Sequence, residues 1–277
     1  MKNISIEFFP PKSNEFEAKL YKEVDKICDV MAPEFFSVTF GAGGSLQSRT
    51  VNTVINIQNQ SKIPTAAHIT CIGTSSQDID LLLNNYKENS ISRLVVLRGD
   101  LPSGAGLYHH GDFSYASDLV KYIREQHSDF FEISVAAYPE SHPQCVTPDK
   151  DIQNFIKKAN MGANRAITQY FYNYDAFEYF MEQVSKTNLN IPVIPGIMPI
   201  TNYTGLMRFS QMCGAEIPKW VRIKLEQYQH QPEELKKFGT EVVTKLCNKL
   251  QDNHAEGLHF YCLNKAKPVL DIVKGLS

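Results

Sequence analysis

A glutamate stands inside the apolar run "ISIEFFPPK" (residues 4–12), where Ile4, Ile6, Phe8 and Phe9 read as a buried strand stopped by Pro10 and Pro11. Burying an ionised carboxylate costs free energy unless it is paired or its pKa rises. Glu7 therefore faces solvent or a structural cation, or it is kept for acid–base chemistry, and its counterparts on other strands must decide. Thr39 lies at the end of "FFSVTF" but for one residue, His68 sits late in "TAAHIT", and Arg98-Gly99 ends "RLVVLRG" with Asp100 next. Tyr138 ends "FEISVAAY" and Gln169 ends "RAITQY" but for one residue. Each has a structural explanation taken singly, such as a satisfied core histidine or a strand-end hydrogen bond. Six successive strands closing on polar groups outline a hydrogen-bonding mouth.

Two neighbouring stretches suit a flavin nucleotide. The glycines of "FGAGGS" (40–45) let backbone approach a ligand closely just before a helix begins. In "DKDIQNFIKKANMGAN" (149–164), Asp151, Asn154 and Lys158 share one helical face opposite Ile152, Phe155, Ile156 and Ala159. That face is either simply solvated or, with Lys157 and Lys158 as cations, turned toward a diphosphate. Other chemistries find less support. His109, His110 and His142 lack the spacing of a zinc site, no GxSxG elbow occurs, and no cysteine has a sequence-evident partner base, so no metal is expected. The "RGD" at 98–100 falls at a strand end, which argues against adhesion.

The elements that must position these groups alternate regularly. Strands are expected at 4–9, 35–40, 65–70, 93–99, 131–138, 165–170, 192–197 and 257–263. Helix-like segments lie near 14–30, 46–59, 76–88, 115–126, 149–161, 175–187 and 203–213, with more helix around 232–250 and 266–274. Eight strand–helix units predict an α/β fold closed into a single (β/α)8 TIM barrel over residues 1–277, with a doubly wound sheet as the alternative. Active sites of such barrels form at the C-terminal ends of the strands, which is where the polar residues collect.

Bulk properties agree. The 277 residues are 43% hydrophobic and 21% charged, with a formal net charge of −2. There is no basic excess for nucleic acid, no apolar signal core and no run of 18 apolar residues for a membrane. The six cysteines lie apart without a CxxC pair, as free thiols in a reducing compartment would, so a cytoplasmic location is expected.

In order along the chain, "IEFFPPK", "FFSVTFGAGG", "AAHITC", "VLRGDLP", "YASDL", "ISVAAYPESHP", "GANRAITQYFY", "IPGIMPI" and "FYCLNKA" resemble the motifs of the methylenetetrahydrofolate reductase family. The resemblance runs from residue 4 to about residue 268, and it covers more than any single motif could. It implies a (β/α)8 barrel that binds FAD noncovalently. It also implies hydride transfer from NADH or NADPH, through the flavin, to 5,10-methylenetetrahydrofolate, giving 5-methyltetrahydrofolate for methionine synthesis. By resemblance, Glu7 is the general acid at the folate, and with Ile6 and Phe8 flanking it at a barrel mouth, partial desolvation is expected to raise its pKa toward the working pH. Asp100 sits beside flavin and pterin. Thr39, Phe40, Ala42, His68, Arg98, Gly99, Tyr115, Tyr138 and His142 line the FAD, with Asp151, Asn154, Lys157 and Lys158 toward its ribose and phosphates. Gln169 bonds the pterin, Phe209 stacks on the aromatic substrate, and Lys265 answers the folate's glutamate. The chain departs from the pattern at Lys157 and Lys265, where relatives often carry arginine, and at Gly205, where a glutamine can touch the folate; lysine lacks arginine's bidentate fork. A homo-oligomer without the C-terminal regulatory domain of eukaryotic relatives is expected. The rival readings are another flavin barrel of the proline dehydrogenase kind, or a folate- or flavin-binding protein without turnover.

Overall fold

Eight parallel strands close on themselves in the order β1-β2-β3-β4-β5-β6-β7-β8, with β1 hydrogen-bonded to both β2 and β8. The computed structural model describes residues 3–40, 44–99, 111–253 and 255–276. The strands are β1 (Asn3–Phe8), β2 (Phe35–Val38), β3 (Thr65–Thr70), β4 (Arg93–Leu97), β5 (Glu132–Ala137), β6 (Arg165–Tyr170), β7 (Val193–Ile197) and β8 (Gly257–Tyr261). The helices that follow them are α1 (Asn14–Cys28), α2 (Gly44–Ser61), α3 (Ser76–Glu88), α4 (Ala116–His127), α5 (Pro148–Asn160), α6 (Tyr174–Ser185), α7 (Tyr203–Cys213), α8 (Lys219–Gln227), α9 (Pro232–Asp252) and α10 (Ala266–Val273). The barrel read from the sequence is thus the observed fold, with one further helix, α8, that the sequence reading does not contain. No helix among the described residues is long and apolar enough to cross a membrane.

Strand side chains alternate, and the alternation sorts the interior into two compartments. Ile4, Ile6 and Phe8 of β1, Phe36 and Val38 of β2, and Leu258 and Phe260 of β8 point outward into one large apolar layer beneath the helices. The lumen holds only a small separate apolar cluster, Phe35, Ala66, Val95 and Ile167, with Leu97 against it. Most of the remaining lumen positions are polar: Ser5, Glu7, Ser37, His68, Ser134 and His259.

The N-terminal end of the lumen is closed by four charges. Arg93 reaches Glu34 at 3.1 Å and Glu132 at 3.0 Å, while Arg165 reaches the same two carboxylates at 2.8 and 2.7 Å. Both guanidiniums lie over the Phe35 ring, 4.9 and 5.4 Å from its centroid. This plug leaves one open end, where β1 to β8 finish and the predicted site residues gather.

Candidate active site

Glu7 faces the lumen because its neighbours Ile6 and Phe8 face the helices. Its Oε2 lies 3.3 Å from His68 Nε2 on β3 and 3.7 Å from His259 Nε2 on β8. Its side chain is only 11% exposed. The other nitrogen of His259, Nδ1, is 2.8 Å from the Ser5 hydroxyl, two residues before Glu7 on β1. A Ser5–His259–Glu7 line therefore runs up the lumen with His68 beside it. Burial pushes the Glu7 carboxyl upward, but the two imidazoles together outweigh burial and hold it at about 2. This corrects the expectation of a raised pKa: in the open barrel Glu7 is an ionised carboxylate with imidazole partners. Burial lowers the pKa of His259, against the pull of Glu7.

Tyr261, next inward-facing after His259, donates through its hydroxyl to the Thr168 carbonyl at 2.6 Å, and burial raises its pKa well above the ordinary value. Its ring meets that of His259 edge-on at 5.2 Å. Sequence reasoning missed Ser5, His259 and Tyr261. The signal was present in "GLHFYCL", where His259 and Tyr261 alternate with Leu258 and Phe260 as lumen positions must.

The remaining predicted residues form a rim. Thr39 donates its backbone N–H to the Phe8 carbonyl at 2.9 Å and Phe40 packs against the apolar layer. Arg98 bonds Gln144 of the β5–α5 connection, and Gly99 has φ +85 with its Cα so close to Thr70 that a Cβ would stand 2.9 Å from the threonine Cβ. The Tyr138 and His142 rings meet edge-on at 4.7 Å, and Asp151 accepts the His142 backbone N–H at 2.9 Å. Tyr115 caps α4 and is 61% exposed. Gln169 accepts the N–H of Tyr170 at 3.0 Å and lines a small cavity with Tyr138. Phe209 on α7 lies under the Arg208 guanidinium at 5.3 Å. Lys265, at the start of α10, is exposed, as is Asn154 on α5.

The two lysines of α5 part company. Lys157 is exposed, whereas Lys158 turns its ammonium onto the Ala136 carbonyl at 2.6 Å, and burial draws its pKa down to about 8 despite Asp151. Only Lys158 thus points at the strand ends, not the pair that the sequence reading grouped. Ala42 and Asp100, most of the glycine stretch 40–45, and His109 and His110 lie outside the described residues.

The family model for methylenetetrahydrofolate reductase matches residues 1–277. The chain belongs to the methylenetetrahydrofolate reductase family. The 5,10-methylenetetrahydrofolate reductase of Buchnera aphidicola subsp. Schizaphis graminum is 39% identical over 268 residues, covering 97% of this chain and 89% of that protein. The Escherichia coli enzyme of the same name is 34% identical over 265 residues, covering 96% and 87%. Among solved structures, a Clostridium thermocellum protein that binds two copies of 5-methyl-5,6,7,8-tetrahydrofolic acid superposes with a TM-score of 0.64 at 18% identity, covering 99% of this chain and 94% of that one. At that identity the likeness concerns the fold. Family membership makes the chain an oxidoreductase of tetrahydrofolate one-carbon metabolism.

Proposed function

We propose that this chain reduces 5,10-methylenetetrahydrofolate to 5-methyltetrahydrofolate, with FAD held at the barrel mouth and NAD(P)H as reductant, each using the same face in turn. The reading rests on one observation above the rest: a carboxylate buried with two imidazoles at the open end of a lumen whose other end is sealed by charge.

The rim fits FAD in three respects. Phe9, Tyr115 and Val146 expose apolar surface on three connections at the mouth, 41%, 61% and 92% accessible, which a flat ring would cover. Gly99 keeps backbone open where a side chain would intrude. Lys158 and Arg98 supply cations for a diphosphate. On this reading Thr39, Phe40, Ala42, His68, Arg98, Gly99, Asp100, Tyr115, Tyr138 and His142 line the flavin, with Asp151, Asn154, Lys157 and Lys158 at its polar end. Bound there, FAD supplies hydride transfer between a reduced nicotinamide and the folate.

The chain's own residues do the acid–base work. The methylene bridge of the folate accepts hydride only when its five-membered ring opens, and opening needs a proton on the departing nitrogen. Glu7 is the group at the mouth that can hand over that proton. Substrate closing over the mouth makes the Glu7 charge more costly, so that the carboxyl takes up a proton from solvent as the site fills. Gln169 and Asp100 orient the pterin, Phe209 stacks on it, and Lys265 meets the glutamate tail.

A purified yellow preparation that bleaches anaerobically with NADH or NADPH and recolours with methylenetetrahydrofolate supports this assignment. Bleaching by proline or a similar amino-acid donor, or bleaching without any folate-dependent recovery, overturns it in favour of another flavin barrel or a binder without turnover.

A further inference from the structure

Two connections at the barrel mouth meet at one carboxylate that the proposed chemistry does not use, and a third joins them one residue away. Glu140, in the β5–α5 connection, accepts the backbone N–H of Glu216 at 2.9 Å through Oε2. Its Oε1 is buried and has no hydrogen-bond partner among the described residues. Glu216 lies in the segment between α7 and α8, and its own Oε2 accepts Asn173 Nδ2 at 2.9 Å, at the start of α6. A second contact joins the same two segments: Gly214, which ends α7 with φ +77, sits so close to the β5–α5 connection that a Cβ would stand 3.2 Å from Pro143 Cγ and 3.8 Å from the Ser141 carbonyl. A cavity of about 10 Å³ lies in the seam, lined in part by Tyr138, Glu140, Gln169 and Gly214.

Each side of this seam carries a residue placed in the proposed site. The β5–α5 connection carries Tyr138 and His142, and α7, ending at Gly214, carries Phe209. We propose that Glu140 is a positioning residue, a proton-dependent clasp whose bond to the Glu216 backbone couples the cofactor-side connection to the substrate-side helix α7. The part of this that concerns cofactor and substrate rests on the function proposed above; the clasp itself does not.

The proton dependence follows from what surrounds the carboxyl. Facing it are the Glu216 carboxylate from the α7–α8 segment, the Tyr170 phenol of β6, the Cys213 thiol closing α7 and, in its own connection, Tyr138, with His142 two residues on. None of the cations named in the site points at it. Burial pushes Glu140 up and the nearby Glu216 carboxylate adds to the rise, against the bond from the Glu216 N–H, leaving it at about 7. An opened clasp would return Glu140 to water and to its ordinary 4.5. The closed seam therefore binds the proton more tightly, and opening becomes easier as pH rises from 4.5 through about 7.

Amide hydrogen exchange on the full chain, without any added ligand, tests the clasp in peptides covering 138–146 and 206–218. In the wild type, after correction for intrinsic exchange, protection of both peptides should fall together between about pH 5 and about pH 7 and level off above that. Glu140→Gln keeps an acceptor for the Glu216 N–H and cannot ionise, so its protection should be independent of pH. Glu140→Ala should exchange roughly tenfold faster or more in both peptides at either pH. Glu216→Gln removes the facing charge and should shift the wild-type midpoint downward. Unchanged protection in Glu140→Ala, or loosening confined to one peptide, overturns the coupling. FAD titration is read separately: affinity should be weaker in Glu140→Ala, and in Glu140→Gln it should lose its pH dependence between about pH 5 and about pH 7. Should the wild type bind no FAD at all, the functional proposal fails while the exchange data still decide the clasp.

Discussion

The Glu7 carboxylate on β1 and the His68 imidazole on β3 stand 3.3 Å apart with a whole strand, β2, between the strands that carry them. They meet because both point into the lumen, and the strand between them offers Ser37 there, a side chain too small to separate them. The pair is thus a property of barrel closure, since a flat sheet would hold these two positions well apart.

That pairing makes acid a threat to the fold. Glu7 falls from 4.5 to about 2 on folding, so it contributes stability above pH 4.5 that is lost as pH falls through the folded value. His259, lowered by burial, works in the same direction, since the folded state resists its protonation. The Glu7 share is at most about 3 kcal/mol. Urea denaturation of wild type and Glu7→Gln should show a stability gap that narrows steadily as the buffer is taken from about pH 5 toward about pH 3. A gap independent of pH would mean the carboxylate gains nothing from the imidazoles.

The base of the barrel should behave as structure alone. Arg165 is 16% exposed and reaches Glu34 and Glu132, both partly buried, so Arg165→Ala leaves the two carboxylates with only Arg93 between them. Breaking a fully buried ion pair from one side typically costs ~3–5 kcal/mol, and solvent reaching these carboxylates brings the cost below that. We expect a clear loss below that figure in denaturant titrations with FAD affinity, in what remains folded, near the wild-type value. A specific loss of FAD affinity at unchanged stability would contradict the plug.

The two lysines of α5 should no longer be interchangeable. Lys158→Ala removes the ammonium aimed at the strand ends and is expected to weaken FAD binding roughly tenfold to a hundredfold, the worth of a charge-assisted contact. Lys157→Ala, altering an exposed side chain, should stay within a few-fold of wild type. Because burial depresses Lys158 to about 8, its charge is present below that pH and lost above it, so FAD affinity should decline as pH rises through about 8. Fluorescence titration of FAD across that range, in both variants, checks the order.

Much of this was legible in the sequence because closure of a (β/α)8 barrel follows from repetition. Period-two runs such as "TAAHIT" and "RAITQY" coincide with β3 and β6. What escaped the sequence depended on contacts between distant elements. Helix α8, "KWVRIKLEQ", is short, polar and not followed by a strand, so nothing in the unit pattern called for it. His259 stands in the middle of the last strand, away from the polar strand ends of the first six, although Leu258 and Phe260 flanking it had to face the helices. The direction of the Glu7 shift was out of reach for a sharper reason. Its apolar neighbours argue for desolvation, and desolvation is indeed the largest single influence, but the sum is decided by imidazoles from β3 and β8 that only the closed barrel brings near.

The test that bears most directly on Glu7 separates the two halves of the proposed reaction. Delivery of hydride from NADH to the flavin moves no proton onto the folate, so it makes no demand on the carboxyl. Opening the folate ring does. Glu7→Gln keeps the size of the side chain and can still bond His68, but it cannot release a proton at this site. Stopped-flow absorbance should therefore find flavin reduction by NADH near the wild-type rate. Reoxidation by methylenetetrahydrofolate should be slower by the ~10²–10⁴-fold that a positioned general acid supplies. The same measurement on His259→Gln reads the imidazole's hold on the carboxylate. Its loss lets the Glu7 pKa rise, so the pH profile of reoxidation should shift upward while flavin reduction stays unchanged. Equal slowing of both steps in Glu7→Gln would make the residue a structural one, and normal reoxidation would remove it from the chemistry.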